Sequence, residues 1–216
     1  MATQLIDTTS ALSVAVAAYR LNDRKVVKYV DGKPGNKELM YNYFASNALF
    51  HGVDAADLMD EAIKIQITLP QQVMMTTLRG DKPNDFLLNI TKLITSESIS
   101  KRDLGIIAWA PKLFDDINKE NNVREQIVQL GSTSHYIGKV GDKATVEFTL
   151  ITCKYLQQFN SYVHRGHDNF GNLISFFNKN QIVSGKIMGK IKSHTKDTRN
   201  YDFLTTNLNY VKIVSE

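Results

Sequence analysis

Lys186, Lys190 and Lys192 stand in an alternating stretch, Lys186–His194 (KIMGKIKSH). Their even spacing on a strand puts all three ammonium groups on one face and turns Ile187 and Ile191 to the other. Such a row suits phosphate, whose charge it neutralises with release of counterions. The bland alternative is a solvated outer face. Lys196 and Arg199 extend the row into the following loop, and Lys154, His164 and Arg165 add groups able to touch phosphate or base. Aromatic rings supply a second chemistry, because an exposed ring stacks on an unpaired base for about 1–3 kcal/mol. Tyr155, Phe159, Tyr162, Phe170, Tyr201 and Phe203 lie near strand ends or among polar neighbours. Of these, Tyr162, Phe170 and Tyr201 have the most polar surroundings and are the expected stacking platforms, with Phe159 in the turn after the first strand. Phe148, Phe176 and Phe177 lie in apolar surroundings and are expected in a core.

The distribution of charge supports this reading. The chain of 216 residues has a formal net charge of +4, with 26 Lys+Arg against 22 Asp+Glu. From Ser132 onward there are 11 basic and 6 acidic residues, so the N-terminal part is close to neutral. The same C-terminal stretch holds 11 of the 20 aromatics and four of the five histidines. Basic groups and aromatic rings on short strands suit single-stranded nucleic acid.

Other chemistries find little support. His164, His167 and Asp168 give an H-x-x-H-D pattern with no third distant ligand, whereas zinc needs three or four. No metal or other cofactor is expected. Gly185–Lys190 has three residues between its glycines where a phosphate-binding loop has four, and Ile191 follows where Ser or Thr must reach magnesium. Asp54, Asp57, Asp60 and Glu61 follow a helical spacing and read as a helix's solvated side, so no catalytic carboxylate pair stands out and the chain is not expected to be an enzyme. The single Cys153 sits in an apolar alternation as an inert thiol. One cysteine forms no intrachain disulfide and fits a reducing cytoplasm, host cytoplasm if the protein is viral. No apolar run approaches the ~18 residues of a membrane span, and no basic residue precedes Ala11–Ala18, so neither membrane insertion nor export is expected.

The elements that must position these groups fall into two parts. Residues 1–131 read as helical: a helix capped by Thr8–Ser10 and running to Arg20, a loop at Tyr29–Asn36, a helix over Lys37–His51, another from Ala55 to Ile67 that Pro70 follows, a short one over Pro70–Leu78, one from Asn84 or Asp85 to Ile94, a segment capped by Ser98–Ser100, and a polar strut from Pro111 to Leu130. Residues 132–216 read as strands: Ala144–Tyr155, Ser161–Arg165, Leu173–Phe177, Lys186–His194 and Asp202–Val214, with a turn at Asp168–Asn172 and a polar loop at Thr195–Asn200. The fold class expected is α+β, a helical region followed by a small five-stranded antiparallel barrel of the oligonucleotide-binding (OB) type, since closure removes sheet edges.

The order of several short motifs resembles an OB-like module of phage and plasmid proteins, written GxVGxK, DxxGN, WF, GxVKxH and TxLxxVK. Here these are Gly138–Lys143, Asp168–Asn172, Phe176-Phe177, Gly189–His194 and Thr206–Lys212, and Asp103–Pro111 resembles the segment preceding that module. The resemblance covers about residues 103–214. It implies a single-stranded DNA-binding, replication-accessory protein acting in phage-type replication or recombination, with RNA also open as ligand. The helical part would then provide self-association or contact with replication proteins. Two departures are visible. The sequence finishes Val211–Glu216 without the acidic tail of many such proteins, which argues against a hub role, and Phe176 replaces the module's tryptophan. The competing expectation is a protein–protein docking module of a replication or virion assembly.

Overall fold

The computed structural model describes residues 5–28, 32–46, 55–197 and 202–214. The chain divides into two compact units, Met1–Lys119 and Glu120–Glu216. The division falls inside a helix rather than at its C-terminal end.

In the first unit, α1 (Thr8–Leu21) is apolar around most of its circumference, with Ala11, Leu12, Ala15, Val16, Ala17 and Ala18 all buried and Thr9, Ser13 and Arg20 on the remaining strip. Such a helix must be covered on most of its sides. The cover comes from α2 (Asn36–Ser46), α3 (Ala55–Leu78), α4 (Asp85–Ile94), α5 (Leu104–Ile107) and the first turns of α6 (Ala110–Gly131). Asp7, not Thr8–Ser10, caps α1 by accepting the Ser10 N–H at 2.7 Å. The unit also holds a two-stranded antiparallel sheet, β1 (Leu5–Asp7) with β2 (Ser98–Ser100), so it is not purely helical. Ser98–Ser100 caps as expected, Ser100 forming a capping box with Asp103, and it also pairs as a strand, with Ile6 and Ile99 opposite each other and both buried.

Two further features of this unit differ from the sequence pattern. The break at Pro70 does not occur, and α3 runs through it for 24 residues. Proline inside a helix costs about 3 kcal/mol, but Leu58, Ala62, Ile65 and Leu69 form one unbroken buried face whose packing outweighs that loss. The acidic cluster is solvated only in part: Asp57 and Asp60 are exposed, Glu61 is not, and Asp54 lies outside the described residues. Glu61 is buried and pairs with Arg20, which also binds Asp57 at 2.6 Å, while Arg24 reaches Glu61 at 3.6 Å and Asp115 at 3.9 Å. The Arg20 guanidinium hydrogen-bonded to Asp57 holds that carboxyl below its ordinary range. The Tyr19 hydroxyl donates to Asp115 at 3.1 Å, and burial followed by that carboxylate raises its pKa. These carboxylates hold the ends of helices together.

In the second unit, β3 (Lys143–Leu156), β4 (Ser161–His167), β5 (Leu173–Asn178), β6 (Ser184–Asp197) and β7 (Phe203–Ile213) form a closed barrel in the order β3-β4-β5-β7-β6. It is not wholly antiparallel, because β5 and β7 pair in parallel, Leu173 beside Thr205 and Phe176 beside Leu208. The parallel pair has a topological cause. Direction cannot alternate all the way round a ring of five strands, so at least one neighbouring pair must run parallel. The interior is filled by Phe148, Ile174, Phe176, Ile182, Ile187, Ile191, Leu208 and Val211. Phe148 and Phe176 meet edge to face at 5.0 Å. Among the described residues, no helix is long and apolar enough to cross a membrane.

Gly166 of β4 pairs with Leu150 of β3 next to a register shift. A Cβ there would collide with the Thr149 carbonyl oxygen and the Phe148 ring. Gly166→Ala is therefore expected to destabilise the barrel by about 1–3 kcal/mol, the range for overpacking, seen as a lower urea midpoint by circular dichroism. An unchanged midpoint would show that the closure tolerates slack at this pair.

Candidate nucleic-acid interface

Alternation sorts the barrel's side chains into inner and outer sets. On β4, His164 and Gly166 are buried, so Val163, Arg165 and His167 point outward; on β5, Ile174 and Phe176 are inside and Leu173, Ser175 and Phe177 outside. Pairing then aligns the outer set in rows. One row is Lys154, Val163 and Phe177; the next is Thr152, Arg165, Ser175, Asn207 and Ser193. Successive rows are about 7 Å apart, two residues along a strand.

The second row forms the floor of a groove of about 420 Å³, with Arg165, Ser175, Asn207, Thr195 and Thr205 as its polar lining and Ile127 and Phe203 as apolar walls. Asn207 donates to the Thr195 hydroxyl at 2.9 Å and to Ser193 Oγ at 3.3 Å, which sets the floor's hydrogen-bonding groups. Arg165 and Lys154 are exposed and have no ion-pair partner among the described residues. At the end of the first row, Phe159, from the turn Gln157–Phe159, meets Phe177 edge to face at 6.1 Å. Phe159 is 60% and Phe177 52% exposed. Phe177, expected in the core, lies outside because its neighbour Phe176 takes the inward position, and adjacent residues on a strand cannot both point in.

The lysine row lies elsewhere on the barrel. Lys186 and Lys190 are exposed and Ile187 and Ile191 buried, as their spacing requires. Their surroundings are β3 and β7: Lys190 pairs with Lys143, Lys186 with Glu147, and Met188 between them with Thr145 on one side and Lys212 on the other. Sequence alone does not single out Lys143 and Lys212, since only strand pairing brings them beside this row. Lys192 falls at a register shift between Ile191 and Ser193, leaving it unpaired and exposed. The barrel thus separates the candidates into a groove on β4, β5 and β7 and a basic patch on β3 and β6.

Other candidates move away from both. His164 is fully buried, stacked on Phe176 at 4.6 Å, and its Nε2 accepts the Ile182 N–H at 3.0 Å, so it is part of the core. Its odd spacing from His167 puts those two rings on opposite faces of β4. Tyr162 is half-buried on the inward side beside His164, tilted against Tyr155 at 5.0 Å. Phe170 is 81% exposed in the turn and shares a hollow with Lys186, Glu147 and Asp168. β6 extends to Asp197, so Thr195–Asp197 of the expected loop belong to a strand while its remaining residues lie outside the described ones, and Lys196 pairs with Asp202 at 3.0 Å. That exposed pair is worth little and leaves Lys196 partly compensated. Arg199 and Tyr201 lie outside the described residues. Cys153 is half-buried beside His164 on β4, and burial pushes its thiol pKa up.

The Asp168–Asn172 turn serves the fold. Asp168 is buried and accepts from the Phe170 and Asn172 N–H groups at 2.9 and 2.8 Å. Gly171 takes a φ of +84°, a conformation that favours glycine. Asn172 in turn accepts the His135 N–H, and Ser134 accepts from Leu173 and donates to the Leu204 carbonyl, strapping residues 134–135 to the barrel. The chain matches no protein-family model, no curated protein and no solved structure.

Burial lowers the pKa of His164 below its ordinary 6.5, with the Phe176 and Tyr162 backbone acting in smaller measure the other way. The unfolded chain therefore binds a proton more readily, and the contribution of neutral His164, complete above the unfolded value, is lost as pH falls through it toward the folded value. Urea midpoints are expected to drop between pH 7.5 and 5.5, and to drop less in His164→Gln. Equal drops in both proteins would place the titrating group elsewhere.

Proposed function

We propose that this protein binds single-stranded nucleic acid, DNA by preference, with little regard to sequence, and serves as a binding protein rather than an enzyme. Read from β3 as the first strand, the barrel has the order 1-2-3-5-4 with the fourth strand closing on the first, an OB-like arrangement. In such barrels the outer face of strands two and three, with the loops after the first and fourth strands, holds oligonucleotides. The observation that carries the reading lies on that face. The exposed Phe159–Phe177 pair stands one row from Arg165 and shares a row with Lys154 across Val163, two cations without counter-ions among the described residues. Bases would stack on the two phenylalanines, Lys154 and Arg165 would take phosphates, and Ser175, Thr205 and Asn207 would meet sugars or base edges. Such chemistry tolerates any sequence because every base has a ring face. Phage-type replication or recombination is the setting that the motif order supports.

The face around Lys190 supports a second reading. It presents Lys143, Lys186, Lys190 and Lys212 around Met188, with the exposed Phe170 sharing a hollow with Lys186 and the exposed Tyr210 between Asn209 and Lys212 on β7. Clustered ammonium groups suit an acidic protein surface as well as a phosphate chain, so this patch is where a docking partner would sit.

Fluorescence anisotropy with labelled oligo-dT and a matched duplex at two salt concentrations separates these readings. The single strand is expected to bind more tightly and to weaken with salt. Phe177→Ala is expected to lower affinity roughly five- to 150-fold, the loss of one stacked base. Arg165→Ala is expected to reduce the slope of log affinity against log salt by about 0.7. Lys190→Ala is expected to change the single-strand affinity less than either. Binding to neither oligonucleotide would overturn the reading and leave docking.

A further inference from the structure

The geometry points to a second copy of this chain, running antiparallel, as the occupant of the outer face of α3. Met59, Ile63, Ile67, Met74 and Leu78 are all exposed, Ile67 to 52% and Leu78 to 74%, and Pro70 lies half-buried in line with them. None belongs to the buried face of the same helix, which is Leu58, Ala62, Ile65 and Leu69. The helix has 24 residues. At 100° per residue the exposed set falls within one stripe, and a helix of that length extends about 36 Å. A largely apolar stripe of that kind, interrupted only by Asp60 and Thr77 near its two ends, on a helix already anchored by its other face marks an interaction surface.

Two features of the stripe select the occupant. Its steps, from Met59 through Ile63, Ile67, Pro70 and Met74 to Leu78, read 4, 4, 3, 4, 4. The series is the same in both directions, so an antiparallel copy repeats it about a two-fold axis between residues 68 and 69. Ile63 then lies beside Met74 of the copy, Ile67 beside Pro70, and Met59 beside Leu78, the self-complementary pattern a two-fold interface needs. Charge points the same way. The exposed carboxylates Asp57 and Asp60 lie at the start of α3, and Arg79 lies just past its end. Asp60 and Arg79 have no ion-pair partner among the described residues. Antiparallel pairing brings each Arg79 level with the unpaired Asp60 of the copy, Asp57 being held by Arg20 within its own chain, and opposes the helix dipoles. Parallel pairing sets like charges against each other. The inference does not depend on nucleic-acid binding.

Sedimentation velocity on the full chain, from low micromolar to submillimolar concentration, tests it. A concentration-dependent dimer is expected, and Ile63→Glu with Ile67→Glu is expected to leave a monomer with the same circular dichroism. In a Cys153→Ser background, mixing Ile63→Cys with Met74→Cys under oxidising conditions is expected to give the mixed disulfide in preference to either symmetric one. Asp60→Lys and Arg79→Glu are each expected to weaken the dimer, and together to restore it. A monomer at every concentration, a dimer that survives the double glutamate variant, or a dominant disulfide between two copies of Ile63→Cys would overturn the proposal.

Discussion

Closure of the barrel through β6 is the constraint on which the second unit depends. This strand pairs with β3 along its first half and with β7 along most of its length, changing register twice as it bends from one partner to the other. Because the ring is closed, each of the five strands has one face committed to a shared interior and one to the outside. Which residue goes inside is then decided by competition for a small volume. Phe176 and Phe148 occupy the centre, His164 stacks against Phe176, and Gly166 leaves the space that Phe148 requires. Every outward residue, including Arg165 and Phe177, is outward because its neighbours won that competition.

The surface chemistry follows from the same pairing. Charged and aromatic groups distant in sequence become neighbours only across a strand pair or along an outer row. Lys154, Arg165 and Phe177 come from three strands and lie on adjoining rows. Lys143, Lys190 and Lys212 likewise come from three strands and surround Met188. Like charges directly opposite on adjacent strands destabilise a sheet. Lys143 beside Lys190 is thus held by the interior packing beneath it, where Ala144 and Ile191 are buried, and an anionic ligand or partner would relieve it. The first unit uses charge differently. Arg20, Arg24, Asp57, Glu61 and Asp115 are matched with one another and committed to helix packing, so they have little left for a ligand.

The motifs that carry the sequence resemblance have mainly structural duties. Asp168, Gly171 and Asn172 build a turn and fasten the segment before β3, and His194 stacks on Tyr136 at 4.4 Å. A turn or close approach tolerates few residue types, which makes such positions recognisable in a sequence. A binding face tolerates many arrangements of lysine, arginine and phenylalanine, which makes it hard to recognise. That asymmetry explains why strand positions are legible from local pattern, whereas the sides of the barrel taken by Tyr162, His164 and Phe177 are not.

Local rules were enough for the α+β class, the change from helices to strands near Gly131, the five strand positions, and the common face of Lys186 and Lys190. Each depends on periodicity or turn chemistry within a few residues. They did not determine that α3 continues through Pro70, that Glu61 is buried with Arg20, or that β1 and β2 pair across the first unit, because these rest on partners far away in the chain. Nor did they place Phe177 outside and His164 inside, since two adjacent strand residues of similar apolar surroundings are separated only by which one the closed interior can accommodate. The one parallel pair, β5 with β7, is required by an odd number of strands, yet which pair takes it is decided only when β6 closes the ring.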